Sequence, residues 1–72
     1  PGLSEFVRLR DAYRKRLEGE ELYQAGRFAE ALQRFVEALK GDPDDPLTHM
    51  NLGVVSAALG DRVQAQRCLD RA

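Results

Sequence analysis

Shifted by 34 positions, the chain falls onto itself. Gly19 lands on Gly53, Gly26 on Gly60, Ala31 on Ala65, Phe35 on Leu69 and Ala38 on Ala72. A repeat of small residues around one bulky apolar position constrains the fold strongly. Two helices that cross closely need small side chains where their axes approach, and a knob to fill the gap between them. In the first copy Ala31 and Ala38 are the small residues, Phe35 is the knob, and Asp42-Pro43 ends the unit. Gly19 and Gly53 would admit a partner helix, which offsets a propensity cost of about 1 kcal/mol relative to alanine.

The helical period predicts the elements. No segment alternates with period two, so no strand is expected. A first helix is expected from a Ser4 N-cap to about Ala25, with Leu3, Phe6, Val7, Arg10, Tyr13 and Leu17 on one stripe. Gly26 would close it. A second helix is expected from about Phe28 to Lys40, with Phe28, Ala31, Leu32, Phe35, Ala38 and Leu39 facing inward. Asp45 would cap a third, with Pro46 at its first position and Leu47, Met50, Leu52, Val54, Val55 and Leu59 along it. Gly60 would end the third helix and Asp61 would cap a fourth, with Ala65, Leu69 and Ala72 on one side. Short loops make these helices antiparallel hairpins.

Composition narrows the function. A chain of 72 residues is one small domain or part of one, and buries only roughly 60% of its unfolded surface. The net charge is −1 and the densest basic run, Arg14-Lys15-Arg16, is followed at once by Glu18, Glu20 and Glu21, so nucleic acid is not an expected partner. No stretch approaches the roughly 20 apolar residues of a membrane span, so no membrane partner is expected. The single cysteine, Cys68, excludes an intrachain disulfide and reads as a small apolar helix residue. His49 is the only histidine and cannot form a histidine-pair metal site. Ser4 and Ser56 have no base at a recognisable spacing. Asp42, Asp44 and Asp45 lack the ligand spacing and closing glutamate of a calcium loop, and read as turn and cap residues. No enzyme activity, metal or cofactor is expected.

These residues resemble the tetratricopeptide (TPR) repeat, a 34-residue helix–turn–helix unit with a loose pattern of Trp, Leu-Gly, Tyr, then Ala, Phe, Ala and Pro. Gly26, Ala31, Phe35, Ala38 and Pro43 carry the likeness in the first unit, and Leu52-Gly53, Gly60 and Ala65 in the second. The Trp position holds Lys15 and then His49, the leucine before the first glycine is Glu18, and the Tyr position holds Leu22 and then Ser56. The resemblance implies an all-α fold of stacked antiparallel hairpins, a short TPR-like α-solenoid of about four helices. It divides the chain into an N-terminal helical extension or tag remnant (1–11), a first unit (12–45) and a truncated second unit (46–72).

In that family the first helix of each unit lines a concave surface that takes peptide segments. By resemblance the binding face here would be Tyr13, Arg16, Glu20, Tyr23 and Gln24, then Leu47, Met50, Asn51, Val54, Ala57 and Ala58. Leu47, Met50 and Val54 form an i, i+3, i+7 stripe, and an exposed apolar stripe marks a contact surface. The resemblance therefore implies a cytoplasmic module that binds a protein or peptide partner. The alternative is self-assembly through unpaired repeat ends, head to tail or by helix exchange, because two units are fewer than a continuous repeat core needs.

Overall fold

In a computed structural model describing residues 2–71, the side chains of residues 65 and 68–71 lie outside the description, and the expectations for Ala65, Cys68, Leu69 and Ala72 fall there. The described residues form three helices and no strand: α1 (Gly2–Gln24), α2 (Phe28–Gly41) and α3 (Pro46–Arg71). They run 58 × 20 × 13 Å with a radius of gyration of 14.8 Å. A compact chain of this length would have about 11 Å.

The turn from α1 to α2 follows from Gly26, whose φ of +80° is open to glycine at little cost. The Gly26 N–H donates to the Tyr23 carbonyl at 3.0 Å and the Arg27 N–H to that of Leu22 at 2.9 Å, the Schellman pattern that satisfies two orphan carbonyls. Tyr23 and Phe28 then meet across the turn, ring centroids 5.1 Å apart, and pin the hairpin shut.

Packing along α1 and α2 is decided by volume. Phe35 is 1% exposed, and a Cβ built on Gly19 would lie 2.5 Å from its Cε1. Further along, a Cβ on Gly41 would meet Ala12 Cβ at 3.0 Å. The core forms around Ala31, Phe35 and Val55, with Leu22, Tyr23, Phe28, Leu32 and Leu52 packed against it. On the outer edge of the pair, Lys15 reaches Glu37 (3.3 Å) and Arg34 reaches Glu18 (3.2 Å). Lys15 holds the Glu37 carboxyl below its usual range despite some desolvation. The position that carries tryptophan in the resembling pattern here holds one end of an ionic zipper.

The apolar stripe of α1 is its outer face. Leu3 (80%), Phe6 (64%), Val7, Tyr13 and Leu17 are exposed, and Ala12, Arg16 and Gly19 are buried instead. The ring of Phe35 and the approach at Gly41 demand small residues opposite, and only that side of α1 supplies them. Ser4 is not an N-cap, because the helix already runs from Gly2.

Asp45 caps α3 as expected. Its Oδ1 accepts from the Leu47 N–H at 3.0 Å and its Oδ2 from the Thr48 hydroxyl at 2.9 Å. Burial alone would raise its carboxyl. The bonds from Thr48 and Leu47 and the charge of Arg16 outweigh burial and hold it below the usual 3.8. A folded-state pKa below the unfolded one stabilises fully above the unfolded value, and the benefit is lost as pH falls through the folded one. Asp45→Ala is therefore expected to cost about 1 kcal/mol at pH 7 and progressively less as pH falls below the usual 3.8, in urea melts over a pH series.

The expected fourth helix is absent: α3 runs unbroken through Gly60 and Asp61 to Arg71. Among the described residues only Gly26 has a positive φ, so Gly60 is helical. A lone glycine costs a helix about 1 kcal/mol, which is too little to break it unaided. The pair that pins the first turn, Tyr23 and Phe28, is replaced 34 residues on by Ala57 and Arg62. Arg62 instead places its guanidinium carbon 4.7 Å from the centroid of the Phe28 ring. That contact holds α3 straight along the start of α2.

Candidate functional site

With α2 behind them, α1 and the first half of α3 form the two walls of a cleft of about 280 Å³. It is lined by Glu20, Tyr23 and Gln24 from α1, Asn51 and Val54 from α3, and Phe35 at its floor. A polar cluster ties the walls together. Glu20 Oε2 accepts from Arg16 Nη1 at 2.7 Å and from Asn51 Nδ2 at 2.8 Å. Arg16 Nε lies 3.2 Å from Asp45 Oδ2 as an ion pair, although its N–H is not aligned for a hydrogen bond. Arg16 is only 9% exposed, so its charge is neutralised by carboxylates on both sides. The cluster fixes the spacing of α1 and α3.

The TPR repeat family model matches residues 19–60, more than half of the chain. The chain belongs to the TPR repeat family. No curated protein and no solved structure matches it significantly. TPR repeats generally mediate protein–protein interaction and are in general not enzymes. No described helix of this TPR protein is long and apolar enough to cross a membrane.

Of the residues singled out for the TPR binding face, Glu20, Tyr23, Gln24, Asn51 and Val54 line the cleft together. Arg16 sits beneath it, with Tyr13 exposed above, its ring centroid 5.1 Å from the guanidinium carbon. Leu47, Met50 and Ala57 are exposed on α3 but do not line the cleft. Sequence reasoning assigned Phe35 to packing alone and missed it as the floor. The signal was present, since a knob opposite Gly19 in mid-hairpin faces the same gap that the flanking helix leaves open. His49, at the second tryptophan position of the TPR pattern, is exposed, and its Nε2–H donates to the Pro43 carbonyl at 2.7 Å, which braces the α2–α3 loop.

Proposed function

We propose that this TPR module, built on units 12–45 and 46–72 with 1–11 as an extension, binds a segment of a partner protein between α1 and α3. It does so in the cytoplasm, without catalysis or cofactor. The observation that supports this reading is the cleft itself. Its α1 wall offers the polar and aromatic groups of Glu20, Tyr23 and Gln24, and its α3 wall offers Asn51 and Val54 over the Phe35 floor. Exposed Tyr13, Leu47 and Met50 extend the surface beyond the cleft. Such a surface takes an apolar side chain into the cleft and pairs its flanking backbone with polar rims.

A displayed random-peptide library panned on the chain is expected to yield binders that Val54→Glu weakens at least about tenfold. Val63→Glu, an exposed change outside the cleft, should leave them unaffected. Failure to enrich any binder, or equal binding to Val54→Glu, would sink the reading.

A second reading, self-assembly, is favoured by a different observation. Leu3, Phe6, Val7 and Leu9 are all exposed near the start of α1, and Met50 on α3. Apolar surface of that extent on a small monomer marks a contact.

A further inference from the structure

The exposed apolar line of α1 runs on to the mouth of the cleft. Leu3, Phe6, Tyr13 and Leu17 are exposed on the side of α1 turned away from Ala12, Gly19 and α2. Eighteen residues make five full helical turns, so Gln24, on the α1 wall of the cleft, stands on the same line as Phe6. Arg10 and Glu21 flank this line along one edge, and both are exposed. Arg10 has only its neighbour Asp11, at 3.8 Å, and Glu21 has no side-chain partner among the described residues.

Phe6 cannot reach the cleft of its own chain, because Phe6 and Gln24 are about 27 Å apart on one straight helix. The end of α2 at Gly41 approaches Arg8 and Ala12, so residues 2–7 project past their own hairpin. The cleft meanwhile has room for a ring. Its volume is about 280 Å³, over a Phe35 floor with Tyr23 and Val54 at the sides. A cavity of about 150 Å³ is enough to hold benzene.

We infer that two copies pair through antiparallel α1 helices, each seating Phe6 at the cleft of the other. This rests on the self-assembly reading and specifies its partner and register. Residues 6–24 of the two helices overlap, with the two-fold axis at the level of position 15. The interface is isologous and closed. Beside the axis, Tyr13 of each copy packs on Leu17 of the other. A turn further out, Arg10 meets Glu21 of the other copy along their shared edge. At each end Phe6 lies against Gln24 and over the Phe35 floor, and Leu9, on the edge nearer α3, meets Val54. Charge fixes the direction. The cations Arg8, Arg10 and Arg14 precede the carboxylates Glu18, Glu20 and Glu21, so antiparallel helices set opposite charges together, and parallel ones would set like on like. Arg14 of the two copies meets beside the axis, a like-charge contact that limits affinity. Glu20 keeps its bonds to Arg16 and Asn51 throughout.

Sedimentation equilibrium of the full chain at low ionic strength tests this, with circular dichroism confirming that each variant folds. A monomer–dimer equilibrium is expected. Phe6 is 64% exposed in the isolated chain, and Phe6→Glu should raise the dimer dissociation constant at least about tenfold. Arg10→Glu and Glu21→Arg should each weaken the dimer by about fivefold, since each contact occurs twice, and the double variant should return to within about twofold of the original. Val63→Glu should have no effect. A monomer at every concentration would overturn both this inference and the self-assembly reading. An oligomer untouched by Phe6→Glu would keep self-assembly and overturn the pairing through α1. A dimer lost in Phe6→Glu, but without recovery in the double charge variant, would keep self-assembly through α1 and overturn the antiparallel register.

Discussion

Phe35→Ala is expected to remove about a quarter or more of this chain's stability at 25 °C, and at the low end of its stability to unfold it. The ring is 1% exposed and stands between Gly19 on α1 and the Ala31–Val55 core shared with α3. Removing a buried phenylalanine side chain costs about 3–5 kcal/mol, because contacts are lost and the cavity does not fully collapse. At ordinary stabilities per residue a chain of this length has about 4–11 kcal/mol in all. The loss therefore takes about a quarter of the total at least, and at the low end all of it. Water entering from the adjoining cleft would bring the cost toward the lower figure. Urea unfolding followed by far-ultraviolet circular dichroism gives the answer directly. A loss below about 1 kcal/mol would mean that the ring is not what joins the three helices.

The second large effect is a contrast of sign at equivalent places in the repeat. Gly19→Ala is expected to destabilise the monomer by up to about 2 kcal/mol, and Gly53→Ala to stabilise it by about 1 kcal/mol. Both changes remove the helix penalty of glycine, which is about 1 kcal/mol. At Gly53 nothing opposes that gain, because the added methyl meets open space. At Gly19 the methyl would lie 2.5, 2.7 and 2.9 Å from three atoms of the Phe35 ring. On its core side the ring is backed by Ala31 and Val55, both fully buried, and it can yield only toward the cleft whose floor it forms. Overpacking of that kind costs about 1–3 kcal/mol and outweighs the propensity gain. Thermal melts of dilute samples, where the chain is monomeric, read both signs. Two shifts in the same direction would show that the two glycines do not differ in surroundings as the structure has them.

The parts of the fold that were legible in the sequence are those set by local chemistry. Asp42-Pro43 and Asp45-Pro46 dictate a stop and a start whatever surrounds them, and α2 came out within a residue of expectation because its apolar face is unambiguous. Gly26 and Gly60 look alike in sequence, and one turns while the other does not. The difference lies in neighbours that tertiary packing brings in: Tyr23 and Phe28 reward the turn, and Ala57 and Arg62 do not. The inner face of α1, Ala12, Arg16 and Gly19, was not legible because it is not apolar. Where two helices touch through a ring and a glycine, size governs, and the large apolar residues of α1 end up outside. The cleft was partly legible for the same reason. Glu20, Asn51 and Val54 follow from which helix faces which. Arg16, by contrast, is held by Glu20 and Asp45 and belongs to the scaffold.

The helices pack in chain order, α1 on α2 and α2 on α3, while α1 and α3 are linked mainly by the Arg16, Glu20, Asp45 and Asn51 cluster. That ordering has a kinetic meaning. Most contacts join segments close in sequence, so little loop-closure entropy is spent before packing begins to repay it. Chains with such low contact order fold in microseconds to milliseconds. The α1–α2 hairpin, with its glycine turn and ring pair, is where that process would most readily begin, and α3 would then grow onto a surface already in place.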